Sequence, residues 1–115
     1  MTIERIKVGP RMSQVVIHGD TIYLAGQVAD DPSADVAGQT SQILAKIDGL
    51  LAEAGTDKSK VLSANVWLSD ISTFDQMNAV WDKWVTPGQP PARATVESRL
   101  ARPEFKVEIM VVAAR

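Results

Sequence analysis

The hydrophobic pattern of the chain switches between two periods, and this switching limits the folds that the chain can adopt. Two runs rich in β-branched residues, 14–18 and 21–26, predict β-strands. From Asp35 the apolar residues instead recur every three or four positions, as on one face of an α-helix. A strand pattern, a second helical pattern and two more strands follow. Strands interleaved with only two helices predict an α+β fold, a mixed β-sheet with both helices on one face.

Six strands are predicted, in the order β-ββ-α-β-α-ββ along the chain. Their ranges are 2–8, 14–18, 21–26, 60–71, 92–99 and 105–113. The first strand, "TIERIKV", alternates imperfectly with charged residues and is assigned to an edge of the sheet. His18-Gly19-Asp20 predicts a tight turn between the second and third strands. The last two strands are joined by "LARPE".

Capping residues predict where the two helices begin and end. Asp35 can cap the first helix and Gly55 can end it. Ser72 or Thr73 can cap the second helix, and Pro87-Gly88 can end it. The buried face of this second helix is predicted to contain Phe74, Met77, Val80, Trp81, Trp84 and Val85.

Length and composition indicate a cytoplasmic, soluble protein with one domain, residues 1–115. A chain of 115 residues suits a single hydrophobic core. Without cysteine there are no disulfides, thiolate nucleophiles or cysteine-based metal sites. The net charge of −2 and the scattered Lys and Arg residues do not form the basic stripe of a nucleic-acid-binding protein. No apolar run approaches the ~18 residues of a membrane span, and the start "MTIERIK" lacks the apolar stretch of a signal peptide.

The final strand suggests that the protein associates with copies of itself. In "KVEIMVVAA" both faces of the strand are apolar from Ile109 onward. Two helices can cover only one face of the sheet, and an uncovered apolar face is usually a subunit interface. A homo-oligomer is therefore expected from the pattern alone.

Most polar residues of the chain have ordinary structural explanations. His18, the only histidine, lies at a turn, and no serine has the context of a hydrolase nucleophile. Asp30 and Asp31, with Asp35 nearby, could suggest a cation site, but a solvated loop with one helix cap explains the same residues. Trp81 and Trp84 face one side of the second helix, where they pack in the core or, alternatively, line a pocket.

Two charged residues in the last two strands are the strongest candidates for chemistry. Arg93 alternates with Ala92 and Ala94, and Glu108 shares a face with Lys106 and Met110. If these strands pair as a hairpin, polar side chains from both gather on one face of the sheet. An arginine on a strand can bind a small carboxylate by paired hydrogen bonds, and a glutamate can orient or deprotonate water. The alternative is a cross-strand ion pair on a solvated face.

The segments around these residues resemble the RidA/YjgF family of enamine/imine deaminases. "PPARATVE" and "KVEIMVVAA" resemble its two hallmark segments, and "YLAGQVADD" is similar to its strand and loop around a Gly-Gln pair. The resemblance covers essentially the whole chain and is strongest to the small YoaB-like branch. It implies a chorismate-mutase-like fold and a homotrimer with a cleft at each subunit interface. It also implies hydrolysis of 2-aminoacrylate, through its imine, to pyruvate and ammonia, without a metal or cofactor.

The resemblance assigns roles to individual residues. Arg93 binds the substrate carboxylate, and Glu108 positions water or transfers protons. Gly26 provides a backbone contact to the ligand, the carbonyl of Thr95 helps to place the water, and Asn78 lies near the pocket.

Two positions depart from the family pattern and bear on the substrate. Arg11 follows Gly9-Pro10 where well-studied members have tyrosine, which adds a cation near the expected cleft. Ala25 replaces the serine that usually precedes Gly-Gln, which removes a hydroxyl. Arg11 could favour a more anionic imino or enamino acid, or it could pair with an acid.

Three further functions are compatible with the same residues. A trimeric module could bind small carboxylates without catalysis, with Arg93 as its clamp. A specialised hydrolase could act on one pathway's imine or carbamate-like intermediate. Endoribonuclease activity is attributed to some relatives, but the acidic balance of this chain gives it no electrostatic support.

Overall fold

A computed structural model describes residues 1–115 and contains six strands and two α-helices. The strands are β1 (Ile3–Val8), β2 (Ser13–His18), β3 (Thr21–Leu24), β4 (Val61–Leu68), β5 (Ala92–Glu97) and β6 (Val107–Ala114). The helices are α1 (Val36–Glu53) and α2 (Phe74–Trp84). Each of the eight elements lies where the sequence predicted it, with boundaries that differ by a few residues.

The strands form one mixed sheet in the order β1-β2-β3-β6-β4-β5. Strands β4 and β5 are parallel, and every other neighbouring pair is antiparallel. The predicted edge position of β1 and the hairpin at Gly19, whose φ is 61°, are confirmed. The pairing of the last two strands as a hairpin is wrong. Strand β4 lies between β5 and β6, because β5 follows α2 and returns parallel to β4 at the sheet edge.

Both helices pack on one face of the sheet, as predicted, and enclose the hydrophobic core. The core contains alternate residues of the inner strands, for example Ile22, Val66 and Ile109, which are almost fully buried. The opposite face of the sheet is uncovered. Tyr23 and Val96 on that face are 47% and 49% exposed. The predicted uncovered face is therefore present in the folded chain.

The helix ends agree with the predictions at α1 and differ at α2. The Asp35 side chain accepts a hydrogen bond from the Gly38 N–H, and Gly55 ends α1 with a φ of 82°. At α2 the Thr73 side chain makes no capping hydrogen bond, and the helix ends at Trp84, before Pro87-Gly88. Neither helix is long and apolar enough to cross a membrane.

Candidate functional site

Arg93 lies on the face of the sheet that α2 covers. In the parallel register Arg93 is opposite Ala64, a buried residue, so the two side chains point to the same side. The Arg93 Nη1 donates a hydrogen bond of 2.8 Å to the Oδ1 of Asn78 on α2. The Arg93 Cζ also lies 5.0 Å from the ring centre of Trp81 and 5.7 Å from that of Phe74. These groups surround the guanidinium on its helix side.

The guanidinium of Arg93 is half-buried but has no carboxylate partner. The structure contains three ion pairs, and Arg93 takes part in none of them. Burial lowers the pKa of Arg93 from its usual value, and the more distant charge of Asp82 only partly opposes this effect. A half-buried cation without a counter-ion is costly unless an anion can approach it. The arrangement is therefore suited to bind a small anion.

Thr95 lies two residues further along the same strand and has an unsatisfied hydroxyl. Its side chain points toward the helices, opposite Val66 in the register. The Oγ1 is buried and has no hydrogen-bond partner in the chain. Buried hydroxyls nearly always have a partner, so this one is available to a group outside the chain.

Replacing Thr95 with valine is expected to raise the free energy of unfolding by about 1 kcal/mol, because it removes an unpaired buried hydroxyl at nearly constant volume. Thr56→Val is the matched control. The Thr56 Oγ1 donates a 2.8 Å hydrogen bond to the Ala114 carbonyl, so its loss should lower the free energy of unfolding. Chemical denaturation measures both variants. Equal destabilisation by the two changes would contradict the account of Thr95.

Glu108 lies on the opposite, uncovered face of the sheet and packs against Gly26. It is opposite Trp67 on β4 and half-buried. Burial raises the pKa of the Glu108 carboxyl, and it accepts no hydrogen bond within the chain that would offset this. A Cβ at Gly26 would collide with the Glu108 Oε2 and lie 3.1 Å from its Cδ. Glycine at this position therefore leaves the space that the carboxylate occupies.

Arg11 lies in the turn between β1 and β2. The Gly9 N–H donates to the Met12 carbonyl at 2.8 Å, which closes this turn. The register places the turn at the same end of the sheet as Gly26, since the Ala25 N–H donates to the Gln14 carbonyl. Arg11 is exposed and forms no ion pair, so the pairing with an acid of the same chain is absent.

The predicted residues therefore form two separate groups in one chain. Arg93, Thr95 and Asn78 lie together on the helix face, whereas Gly26 and Glu108 lie together on the open face. The gathering of Arg93 and Glu108 on one face of a hairpin is wrong, because β4 separates their strands and the register gives them opposite orientations. Two strand spacings and three residues along the strands separate their Cα atoms by about 14 Å.

The largest groove of the protein contains neither Arg93 nor Glu108. Its volume is ≈ 490 Å³, and it is lined by Lys7, Gln14, Gly26, Gln27, Val28, Asp30, Lys46, Gly49, Leu50 and Glu53. Its charged groups are already paired, Lys7 with Glu53 and Lys46 with Asp30. Arg93 and Glu108 face opposite sides of the sheet, so no cavity of a single chain can contain both residues. The size of this groove therefore does not indicate where the two residues would bind a ligand.

The acidic loop of residues 30–35 is explained by local structure. Asp30 pairs with Lys46, Asp31 accepts hydrogen bonds from Ser33, and Asp35 caps α1. The hydrogen bonds from Ser33 lower the pKa of Asp31. The solvated-loop interpretation therefore fits these residues, and no group of three or more His, Cys, Asp or Glu side chains is placed to hold a metal ion.

The sequence pattern missed the role of one face of α2. Phe74 was predicted to be buried in the core, but it is 38% exposed and lies over the guanidinium of Arg93. Trp81 is predicted in the core or in a pocket wall; it is buried in the core, and its ring faces Arg93. The sequence contained one indication of this shared face: a spacing of i, i+4 and i+7 places Phe74, Asn78 and Trp81 on the same side of α2.

Comparisons with known proteins agree with the fold. Residues 2–115 match the family model described as endoribonuclease L-PSP. A RutC family protein of Haemophilus ducreyi is 47% identical over 112 residues, which cover 97% of this chain and 96% of the relative. The RutC family protein YoaB of Escherichia coli is 46% identical over 114 residues and 99% of each chain. The crystal structure of a YjgF family member from Neisseria meningitidis superposes with a TM-score of 0.98 at 45% identity, over 100% of this chain and 96% of that one.

Proposed function

The chain belongs to the family of the endoribonuclease L-PSP model, with RutC and YjgF proteins as relatives, and we propose that it is an enamine/imine deaminase. It hydrolyses reactive 2-imino acids, the tautomers of 2-enamino acids such as 2-aminoacrylate, to 2-oxo acids and ammonia. The half-buried guanidinium of Arg93, which has no carboxylate partner within the chain, is the observation that carries this proposal.

The chemistry of an imino acid fits the few groups available. Its carboxylate is a planar anion that an arginine can bind by two parallel hydrogen bonds. Its imine carbon is already electrophilic, so hydrolysis requires a held substrate, an oriented water and a path for protons to the nitrogen. Glu108, with a pKa raised by burial, is suited to accept a proton and return it.

The two groups of site residues meet between copies of the chain. Arg93 lies on β5 at the sheet edge, and Glu108 lies on the open face, which also carries exposed apolar residues such as Val96. If the open face of one protomer packs against the β5 edge of the next, Arg93 of one and Glu108 of the other line one cleft. A cyclic homotrimer repeats this contact three times and leaves no open face unpaired.

The reaction balances with these groups alone. Water attacks C2 of the imine while its proton passes to Glu108, and a C–O bond forms. The resulting tetrahedral carbinolamine receives the proton on nitrogen from Glu108. The hydroxyl proton then passes through Glu108 to the same nitrogen, the C=O bond forms as the C–N bond breaks, and a 2-oxo acid and neutral ammonia leave. Arg93 holds the carboxylate throughout, and the family resemblance assigns the Thr95 carbonyl to the water and the Gly26 backbone to the ligand. Arg11, at the Glu108 end of the sheet, adds a cation that favours more anionic imines.

A trapping assay tests the activity directly. An amino-acid oxidase generates the imine in the presence of semicarbazide, which converts it to an absorbing semicarbazone. The proposal predicts that added protein slows semicarbazone formation in proportion to its concentration. Unchanged semicarbazone formation together with measurable binding of a 2-oxo acid would instead show a non-catalytic carboxylate-binding module.

Replacing Gly26 with alanine is expected to lower kcat/KM for imine hydrolysis by about 100-fold, because the added Cβ displaces the Glu108 carboxylate by about 1 Å. The end of a flexible side chain can move at little cost, so the free energy of unfolding should change little. Gly49→Ala is the matched control, since nothing lies within 4 Å of a Cβ at that helical position. Full activity of Gly26→Ala in the trapping assay would contradict the role of Glu108.

A further inference from the structure

We propose that Asn78, Trp81 and Phe74 are positioning residues that hold the guanidinium of Arg93 ready for a carboxylate and keep it free of an internal counter-ion. These three residues are called the guanidinium cradle below. The inference rests on the proposed function, because it assigns the cradle to the carboxylate site of the deaminase. It goes beyond the expectation for Asn78 from the family resemblance, which was a position near the pocket.

The cradle is formed by one face of α2. Phe74, Asn78 and Trp81 are spaced by four and three residues, so their side chains project from the same side of the helix. The Asn78 Oδ1 fixes one end of the guanidinium through the 2.8 Å hydrogen bond from Nη1. The two aromatic rings lie 5.0 and 5.7 Å from its central carbon. Three contacts from a rigid helix therefore restrict a side chain that is otherwise flexible.

The aromatic rings stabilise the positive charge while α2 shields it from water. A cation within about 6 Å of an aromatic ring is attracted to the ring face, and the attraction grows as water is removed. Trp81 is only 5% exposed and packs 5.3 Å from Trp84, centre to centre, so its ring is fixed. The cradle offsets part of the cost of burying Arg93 without supplying a negative charge.

The identity of Asn78 is the most informative feature of the cradle. Its carbonyl oxygen accepts the hydrogen bond that a carboxylate oxygen would accept, yet it leaves the charge of Arg93 unneutralised. Aspartate has nearly the same shape and would form an ion pair at this distance, because carboxylates pair strongly with guanidinium groups. The amide therefore positions Arg93, and its neutrality keeps Arg93 available to a carboxylate from outside the chain.

The decisive variant is Asn78→Asp, with pyruvate as the probe. Pyruvate binding, followed by NMR titration, should weaken at least about tenfold, because the new carboxylate competes for the guanidinium. The denaturation midpoint should stay the same or rise, since the half-buried charge gains a partner. A residue with only a structural role would not weaken binding while preserving stability. Pyruvate binding equal to that of the unmodified protein would overturn the proposal.

The aromatic part of the cradle is tested with Trp81→Leu and Trp81→Phe. In Trp81→Leu the Arg93 Nε–H group should be more mobile by NMR relaxation, and pyruvate binding should be weaker. In Trp81→Phe, which keeps an aromatic ring, both the mobility and the binding should lie between those of Trp81→Leu and the unmodified protein. Unchanged Arg93 mobility in Trp81→Leu would overturn the cradle, and this measurement requires neither catalysis nor ligand. Failure of the proposed function would give a different result. The unmodified protein would then have an immobile Arg93 side chain but would not slow semicarbazone formation.

Discussion

Arg93→Ala is expected to lower kcat/KM for imine hydrolysis by about 1000-fold, the largest effect of any single change in the chain. The substitution removes two charge-assisted hydrogen bonds to the substrate carboxylate, each contributing about 1.5–3 kcal/mol. Arg93→Lys keeps the charge but cannot form the paired contact, so an intermediate loss is expected. The oxidase and semicarbazide assay measures both variants over a range of imine concentrations.

Arg102→Ala is the matched control for the change at Arg93. Arg102 is exposed, and its side chain forms no ion pair, so its removal should leave the rate of hydrolysis unchanged. A comparable loss of activity in Arg93→Ala and Arg102→Ala would indicate a general effect of the protein's net charge. Retention of most activity by Arg93→Ala would contradict the assignment of the carboxylate site.

Glu108→Gln is expected to lower kcat by about 100- to 1000-fold, because general acid–base catalysis by one side chain contributes a factor of this size. The amide keeps the shape of the side chain but can neither accept nor return a proton. The KM should change little, since in the proposed site Arg93 and not Glu108 holds the substrate carboxylate. Glu104→Gln, at an exposed position, is the control and should be fully active.

The pH dependence of imine hydrolysis by the unmodified protein is a second test of the catalytic role of Glu108. Burial raises the pKa of Glu108, so activity should fall on acidification with a midpoint above the ordinary glutamate value of about 4.3. The pKa of Glu108 is higher in the folded protein than in the unfolded chain. At a pH above the folded-state pKa, the ionised carboxylate therefore lowers the free energy of unfolding, and this loss of stability disappears as the pH falls through the folded-state pKa. Glu108→Gln should therefore be at least as stable as the unmodified protein at pH 7. Activity that stays constant through this acid range would contradict a catalytic carboxylate.

The periodicity of the sequence was sufficient to predict the elements and the orientation of their residues. The alternation around Arg93 and around Glu108 holds in the structure, with Ala92 and Ala94 exposed on one side of β5 and Val107 and Ile109 buried on one side of β6. The cap at Asp35 follows from local chemistry as well. Such features depend on neighbours within a few residues, which a single sequence displays.

The relation between the two charged residues depended on strand order, which the sequence does not display. Consecutive strands often pair, and this tendency favoured a hairpin of β5 and β6. With β4 between the two strands, its registers with β5 and β6 decide which side each residue faces, and they place Arg93 and Glu108 on opposite sides. Position along the chain also could not show that Phe74 lies over Arg93, because that contact depends on how α2 packs against the sheet edge.

Mixed oligomers of two inactive variants provide the most direct test of a site shared between protomers. Arg93→Ala and Glu108→Gln are unfolded together at equal concentrations, refolded, and tested for imine hydrolysis. Random assembly should place an intact Arg93 beside an intact Glu108 in about a quarter of the clefts, so about a quarter of the original activity should return. A mixture of Arg93→Ala with Asn78→Asp, whose changes lie in the same half of the site, should be no more active than the two separate variants together. Activity no greater than the sum of the separate variants would contradict the shared site.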